Sequence, residues 1–350
     1  MALFGRKKRP QVVGLDVGSS SVKAVELRLS GSEYELGGFG IAQVPHGAIE
    51  GGDIKQPAAV QSAIRQALEQ ARTQASTATI GMSGGSVIAK RVTLPKMSEA
   101  ELNESMRWEA EQHIPFDIED VELDFQVLRQ DGPQQEVMLV AVKKGKVRSY
   151  MEVVEGAGLS VGVVDVDVFA LETQYEHNFA GESDVVALVN IGNETTNTNI
   201  LQGGVNVYAR DIFIGGRQYA ATIAQRFDLP LADAEALVRG QPGQISWAEI
   251  EPVLDLVSQE LGQEIQRTLD YFGTTAEHER IQRIFLSGGC ALLPGLQEFL
   301  SSQWGIEVTP ANPYKRIRLG AGVNGEQVQK LAPLAAVATG LAMRYPDDRK

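Results

Sequence analysis

Residues 14–27 read Gly-Leu-Asp-Val-Gly-Ser-Ser-Ser-Val-Lys-Ala-Val-Glu-Leu, and residues 188–201 read Leu-Val-Asn-Ile-Gly-Asn-Glu-Thr-Thr-Asn-Thr-Asn-Ile-Leu. Each stretch is an apolar strand that ends in Asp16 or Asn190, a turn of glycine and polar residues, and a second, alternating strand. The two copies lie 174 residues apart, and a further strand and a helix follow each of them. We therefore predict an α/β fold made by duplication, with a cleft between its two lobes.

The length and composition are those of a globular protein with two domains or one large bilobal body. The 350 residues are 43% hydrophobic and 22% charged, which excludes wholesale disorder and fibrous repeats. The 32 basic and 45 acidic residues give a net charge of −13, which argues against general binding to nucleic acid. The single cysteine, Cys290, excludes an intramolecular disulfide and a Cys-cluster zinc site, and it fits a reducing cytosol.

The sequence contains no convincing membrane segment. Its best apolar run, residues 331–343, is interrupted by Pro333 and Gly340 and is shorter than the roughly 20 residues that a spanning helix needs. The basic start of the chain lacks the apolar core of a secretion signal. We expect it to be a solvated tail with marginal attraction to anionic lipid.

The region between the two copies has a character of its own. Ser98 and Glu101 form a capping box, from which an apolar stripe runs to Ile114 before Pro115 ends the helix. Two strands and a second helix follow, which predicts a small inserted α+β subdomain. The full predicted division is a basic tail (1–10), lobe 1 (11–90 and 166–183), the inserted subdomain (91–165), lobe 2 (184–230 and 276–345), a helical subdomain (231–275) and a short tail (346–350).

The first turn has the chemistry of a phosphate site, although it lacks the Gly-Lys-Thr signature of a P-loop. Gly18 lets the backbone approach a polyanion, and the serines that follow add hydroxyl donors. Lys23 supplies a point charge if it faces the cleft, and Asp16 suits Mg²⁺ held through water. A single copy reads equally well as an ordinary β-turn, but two copies that face a cleft favour a nucleotide clamp.

The second copy differs from the first in its charges. Asn190 stands where the first copy has Asp16, and an amide attracts Mg²⁺ less and cannot act as a base. Glu194 would repel phosphate if it faced inward. We therefore expect nucleotide binding with weak or absent hydrolysis.

A third glycine-rich element follows a predicted strand, at Gly288 and Gly289. Two glycines there allow a flat adenine or ribose to approach the backbone, although a plain strand-to-helix turn explains them as well. Glu264 and Arg267 lie three residues apart on a predicted helix, where they either bind a base or ribose or form a surface pair. Alone, their spacing favours the surface pair.

These three elements, in this order, resemble the phosphate-1, phosphate-2 and adenosine loops of the actin, hexokinase and heat-shock ATPase superfamily. Residues 14–27, 107–116, 120–125 and 287–296 are similar to the PilM family of type IV pilus assembly proteins, a relative of the cell-division protein FtsA. The likeness covers nearly the whole chain, and its specific part is 107–116. It implies an actin-like (ribonuclease H-like) bilobal ATPase fold with an inserted subdomain.

The resemblance also implies ATP and Mg²⁺ as cofactors, with Asp16 as the metal residue. It implies contacts to phosphate and metal for Asp16, Gly18, Ser19, Ser20, Ser21 and Lys23, and contacts to phosphate from the other lobe for Gly192, Asn193, Thr195 and Thr196. Gly215 and Gly216 would border the cleft, and Glu264, Arg267, Gly288 and Gly289 would hold adenosine.

The partners that the resemblance implies lie at the inner membrane. The family binds the cytoplasmic N-terminal tail of PilN in a groove beside the inserted subdomain, and it links the PilN/PilO complex to the pilus motor ATPases. The expected place is cytoplasmic, with membrane contact only through PilN, and self-association is a further expectation. Two other functions remain open: a sugar-kinase-like phosphotransferase with Asp165 or Asp167 as its base, and an FtsA-like filament former.

Overall fold

The computed structural model describes residues 11–346, apart from residues 32, 242 and 276–279. The predicted basic tail (1–10) and residues 347–350 of the predicted C-terminal tail therefore lie outside the described residues. Within the described part of the chain, no helix combines the length and the apolar character needed to cross a bilayer.

Strands supply the framework of both lobes and of the insertion. They are β1 (Val12–Val17), β2 (Ser21–Ser30), β3 (Glu33–Gln43), β4 (Ile49–Glu50), β5 (Asp53–Ile54), β6 (Thr77–Met82), β7 (Val87–Pro95), β8 (Val121–Asp131), β9 (Gln134–Lys143), β10 (Ser160–Val166), β11 (Val185–Ile191), β12 (Thr196–Gln202), β13 (Val205–Ile212), β14 (Arg283–Ser287), β15 (Glu307–Pro310) and β16 (Arg318–Leu319).

Helices cover the sheets and connect the lobes. They are α1 (Pro57–Ala71), α2 (Glu99–His113), α3 (Lys144–Gly156), α4 (Asp167–Phe179), α5 (Gly216–Phe227), α6 (Leu231–Val238), α7 (Trp247–Thr275), α8 (Leu296–Trp304), α9 (Gly325–Leu331) and α10 (Ala336–Leu341). The last helix, α10, is short, because a 3₁₀ turn occupies Ala332–Ala335 directly before it.

The two main sheets share one topology. In lobe 1, β1, β2 and β3 form an antiparallel meander, and β6 and β10 add in parallel on the other side of β1. In lobe 2, β11, β12 and β13 form the same meander, and β14 and β15 add in parallel beside β11. The duplicated α/β fold predicted from the sequence is therefore confirmed.

The strand register makes the two copies comparable residue by residue. Asp16 pairs with Lys23 across β1 and β2, and Asn190 pairs with Asn197 across β11 and β12. The carboxyl end of the first strand is thus the same place in both sheets, which is where ligands bind in open α/β sheets.

The inserted subdomain is smaller than predicted. Its sheet has the order β7–β9–β8, and α2 packs on one face through Leu102, Met106 and Ala110. The capping box at Ser98 and Glu101 is present, with both of its hydrogen bonds. The predicted range of 91–165 is wrong at both ends, since the subdomain begins with β7 and ends with β9.

The two elements that directly follow β9, namely α3 and β10, belong to lobe 1. Helix α3 packs into the lobe 1 core through Tyr150, Val153 and Val154, and β10 pairs in parallel with β6. Apolar periodicity shows that a helix has a buried face, but it does not show which sheet that face meets. This is why the sequence placed α3 in the insertion.

The predicted helical subdomain at 231–275 does not have a separate core. Helices α6 and α7 share one buried cluster with α5, α8 and the lobe 2 sheet, in which Leu237, Leu261 and Ile265 contact the face that carries Val189 and Ile200. These helices are therefore the covering layer of lobe 2.

Helices α4 and α10 cross between the lobes, which corrects the predicted allocation of both segments. Leu171 and Tyr175 of α4 pack on the lobe 2 sheet, although the sequence placed 166–183 in lobe 1. Ala338 packs with Val25 and Leu27 of lobe 1, although the sequence placed 276–345 in lobe 2. The two lobes are thus joined by a pair of helices in mutual contact.

Candidate nucleotide-binding cleft

The two repeat turns have the same internal hydrogen bond and face each other. The amide of Gly18 donates to the carbonyl of Ser21 (3.2 Å), and the amide of Gly192 donates to the carbonyl of Thr195 (2.9 Å). Nδ2 of Asn193 then donates to Oγ of Ser19 across the lobes, at 3.2 Å. Both turns line one cleft of about 1090 Å³, which is ample for a small-molecule ligand.

The floor of the cleft in lobe 1 carries a charged pair. Nζ of Lys23 lies 3.1 Å from Oδ2 of Asp16, and both side chains are largely buried and line the cleft. Strand alternation therefore places Lys23 on the cleft side, as a phosphate contact requires.

Asp167 adds a second carboxylate to this floor. It is the first residue of α4, and its side chain lies on the backbone of Gly81, where a Cβ would collide with it. Burial and, to a lesser extent, the negative charge of Asp16 together raise the pKa of Asp167 to about 7, and a hydrogen bond with Ser83 opposes the rise. The other candidate base, Asp165, does not line the cleft, because its carboxylate pairs with Arg344 at 2.7 Å.

At the equivalent place in lobe 2, the amides of Asn190 and Asn197 replace the charged pair and belong to a row of hydrogen bonds. Asn190 donates to Oδ1 of Asn197 (3.1 Å) and accepts a hydrogen bond from Ser287 (3.2 Å). Asn197 in turn donates to Asp211 (2.7 Å), whose other oxygen accepts the amide of Gly84 at the root of the inserted subdomain (3.3 Å). Burial raises the pKa of Asp211, and these two hydrogen bonds oppose the rise.

Glu194 faces the cleft but does not present a free charge to it. Oε1 of Glu194 accepts from Nη1 of Arg217 (2.9 Å), and Oε2 accepts from the amide of Gly51 in lobe 1 (2.9 Å). Gly51 and Gly52 form the turn between β4 and β5, and Lys146 and Tyr150 of α3 both donate to the carbonyl of Gly52.

Gly215 and Gly216 fasten helix α5 to the second turn. The amides of Gly216 and Arg217 donate to the carbonyls of Gly192 and Asn193, at 2.9 and 2.8 Å. A Cβ on Gly215 would lie 2.5 Å from the carbonyl oxygen of Gly192. The first amides of this helix therefore hold the turn in place, and both glycines line the cleft.

The third glycine element closes the cleft from lobe 2. Gly288 has a φ of +86°, and a Cβ there would collide with the carbonyl of Ile191, so this position requires glycine. Gly289 has open space beside its backbone. Burial raises the pKa of the neighbouring Cys290 thiol to about 12, which makes it a poor nucleophile.

Three of the predicted residues do not line the cleft. The hydroxyl of Thr196 is buried and donates to the carbonyl of Ile214. Glu264 and Arg267 form an ion pair with each other on α7, and Glu264 also lies near Arg210. The predicted adenosine contacts of Glu264 and Arg267 are therefore not supported, and the alternative of a surface pair is what the structure has.

Several cleft residues were not identified from the sequence. They come from α3, the β4–β5 turn, α6 and α9, which the repeat does not include, and from the part of α5 after Gly216, and no local motif marks them. Among the described residues that line the cleft, the acidic side chains are Asp16, Asp167, Glu194 and Glu235, and the basic ones are Lys23, Arg217, Arg239 and Lys330. The cleft is thus balanced in charge, whereas the whole chain is strongly acidic.

The donor groups that line the cleft suit a complex of Mg²⁺ with a nucleotide. No group of three or more His, Cys, Asp or Glu side chains in the described part of the chain is arranged to hold a metal alone. Mg²⁺ is usually bound by one or two carboxylates together with phosphate and water. Asp16, with Asp167 nearby, matches that donor set, and the facing turns offer amide and hydroxyl donors to phosphate.

Comparisons with known proteins place this fold. A family model described as type IV pilus assembly protein PilM matches residues 14–346. The PilM-PilN type IV pilus biogenesis complex contains a chain that is 33% identical, with a TM-score of 0.87, over 96% of this chain and 98% of that one.

Two more distant structures share the fold alone. Ethanolamine utilization protein EutJ from Carboxydothermus hydrogenoformans is 15% identical, with a TM-score of 0.57, over 95% of this chain and 89% of that one. A diol dehydratase-reactivating factor in nucleotide-free form is 9% identical, with a TM-score of 0.56, over 95% and 99%. The bilobal actin-like α/β fold predicted from the sequence is confirmed, and the chain belongs to the PilM family of type IV pilus assembly proteins.

Proposed function

We propose that this chain is a nucleotide-binding scaffold of the type IV pilus inner-membrane platform. It binds ATP with Mg²⁺ between its lobes, binds the cytoplasmic N-terminal tail of a PilN partner, and connects the PilN/PilO complex to the pilus motor ATPases. The observation that carries the nucleotide part is the convergence of the two repeat turns, through Ser19 and Asn193, on one cleft. Family membership carries the pilus part and favours it over the sugar-kinase and filament alternatives.

The residues of lobe 1 would hold the phosphates and the metal. Asp16 would order the hydration shell of Mg²⁺, whose role is to neutralise phosphate charge. Lys23 would shift from Asp16 toward a phosphate oxygen, since its ammonium lies on the cleft side. Gly18 would let the phosphates approach the backbone, and the hydroxyls of Ser19, Ser20 and Ser21 would donate to them.

The residues of lobe 2 would complete the site. Gly192, Asn193 and Thr195 would meet phosphate from the opposite side, with Gly215 and Gly216 holding their turn. Gly288 and Gly289 would lie against adenosine. Turnover would be slow or absent, because Asn190 and Asn197 offer amides where a hydrolase needs a base or a metal carboxylate.

Binding of a PilN tail is proposed from the similar complex, in which a chain of this family is assembled with PilN. Because PilN would hold it, the protein would lie on the cytoplasmic face of the inner membrane. The proposed contact is the groove beside the inserted subdomain, whose sheet is rooted in lobe 1 through β7 and β9.

Calorimetry with ATP and with a PilN-tail peptide, each alone and in the presence of the other, tests both parts. We expect Mg²⁺ to strengthen ATP binding, and we expect the peptide to protect the insertion from limited proteolysis. Absence of ATP binding would refute the nucleotide part, and unchanged proteolysis would refute the proposed groove. ATP-dependent phosphorylation of a sugar that Asp167→Asn abolishes would instead establish the kinase alternative.

A further inference from the structure

Glu194 is the one position of the second turn whose chemistry opposes a phosphate ligand. By the repeat offset it corresponds to Ser20, so a carboxylate stands in lobe 2 where a hydroxyl stands in lobe 1. The two turns have the same internal backbone hydrogen bond. Glu194 and Ser20 therefore differ in side-chain charge and length, while the turns that carry them are alike in this backbone contact.

The carboxylate of Glu194 is bound by two donors that line the cleft. One is the amide of Gly51 in lobe 1, and the other is the guanidinium of Arg217 in lobe 2, each at 2.9 Å. Arg217 also lies 4.0 Å from Glu50. A backbone amide in a glycine turn and a guanidinium are the donors that phosphate oxygens prefer.

The Gly51 donor is held in position from behind. The carbonyl of Gly52 accepts hydrogen bonds from Lys146 and Tyr150, both largely buried, and Gly51 and Gly52 have φ angles of +56° and +75°. The amide of Gly51 is therefore directed at the cleft by the turn itself, whether or not Glu194 occupies it.

We propose that Glu194 is an internal stand-in for a phosphate group, and that it sets the affinity and the phosphate dependence of ligand binding in this cleft. A ligand phosphate displaces the carboxylate from Gly51 and Arg217 and takes over these donors. This deepens the proposed nucleotide binding and rests on it. The hydrogen bond that Gly51 donates to Glu194 links the two lobes, so this exchange removes a contact between them. The neighbouring Gly52 is bound by α3, which follows directly on the insertion.

The test compares ATP with adenosine by calorimetry on full-length Glu194→Gln, which removes the charge and keeps the shape. The Kd for Mg·ATP should fall about fivefold to tenfold, and the Kd for adenosine should stay unchanged. Glu194→Asp keeps the charge but is one methylene shorter, and it should give a smaller gain because it cannot reach both donors. Glu264→Gln is the matched control, since it removes the same charge on α7 outside the cleft.

The higher affinity of Glu194→Gln for Mg·ATP should also depend on Arg217. In the double variant Glu194→Gln with Arg217→Gln, the released donor is gone, and the improvement for ATP should be lost. If Glu194→Gln binds ATP no more tightly than the wild type, or gains equally for adenosine, the stand-in is wrong while nucleotide binding stands. If neither protein binds ATP or adenosine, this inference and the nucleotide part of the proposed function both fail.

Discussion

Asn190 donates a 3.1 Å hydrogen bond to Asn197 at the place in the second sheet where the first sheet has the ion pair of Asp16 and Lys23. Both charges of the first copy are thus missing from the second, and the two amides are joined by this one hydrogen bond, while Ser287 donates to Asn190 and Asn197 donates to Asp211. The two replacements are coupled, because a carboxylate at one position without a cation at the other leaves acceptor facing acceptor.

Asn190→Asp alone should lower the free energy of unfolding by roughly 1–3 kcal/mol. The new carboxylate would face Oδ1 of Asn197, and this amide cannot flip without losing the hydrogen bond that its Nδ2 donates to Asp211. Adding Asn197→Lys should recover much of this loss, because the pair then reproduces Asp16 and Lys23. Urea unfolding of both single variants and the double variant measures the coupling, and additive losses would contradict it.

The same substitution has a second readout. If Asn190 limits turnover, Asn190→Asp should raise any residual ATPase, most of all together with Asn197→Lys, because a carboxylate then faces the cleft. Phosphate release is the measurement, with Asn103→Asp, an exposed position on α2 outside the cleft, as the control. Unchanged rates in both Asn190 variants would remove our reason for slow turnover.

Asp16→Ala should weaken Mg·ATP binding by about tenfold or more, since one or two carboxylates usually complete a Mg²⁺ site. ATP without Mg²⁺ should bind the variant at least as well as it binds the wild type, because a negative charge is gone and Lys23 is free. Calorimetry with and without the metal separates the two effects. An unchanged dependence on Mg²⁺ would exclude Asp16 as a metal residue.

Asp167→Asn should change how stability depends on pH. The pKa of Asp167 is about 7 in the folded protein and near 3.8 in the unfolded chain, so the folded state holds a proton that the unfolded state releases. This stabilising contribution is full at low pH and is lost as the pH rises through 7. Asparagine does not titrate.

The free energy of unfolding of Asp167→Asn minus that of the wild type should therefore increase by roughly 2 kcal/mol between pH 5 and pH 8. Because the comparison is between two proteins that share every other titrating group, the difference isolates Asp167. Parallel stability curves over this range would show that Asp167 carries its charge in the folded state like an exposed carboxylate.

Gly340→Ala should destabilise the joint between the lobes by roughly 1–3 kcal/mol. A Cβ on Gly340 in α10 would collide with the carbonyl of Ala170 in α4, so the two crossing helices would have to separate. Gly145→Ala in α3 is the matched control, because nothing lies near its Cβ position and alanine favours a helix by up to about 1 kcal/mol. Equal effects of the two substitutions on the urea midpoint would contradict the close packing.

The repeat made most of the fold predictable. Strand alternation and the two glycine turns are local signals, and so is the capping box at Ser98, which forms. The facing of Ser19 and Asn193 followed from duplication, because equivalent strand ends of paired lobes meet at one cleft. These inferences depend on residues close in sequence or at a fixed offset.

The parts that were missed depend on long-range packing. Helix α3 has an apolar stripe that fits either core, and only the tertiary structure shows that Val153 packs in lobe 1. Arg217 and Gly51 are unremarkable in their local sequences, and their meeting at Glu194 joins segments far apart in the chain. Glu264 and Arg267 were assigned to adenosine by resemblance, whereas their helix turns them toward each other.

The contact between Ser19 and Asn193 joins two positions that the repeat makes equivalent. Equivalent residues touch each other only where they lie close to the symmetry axis that relates the two halves, as in a homodimer with an isologous interface. Anything bound between the turns therefore sits on this pseudo-dyad. A nucleotide has no dyad of its own, so each half meets a different part of it, and the halves are released from the need to stay alike. The charged pair in one half and the amide pair in the other are the outcome of that freedom.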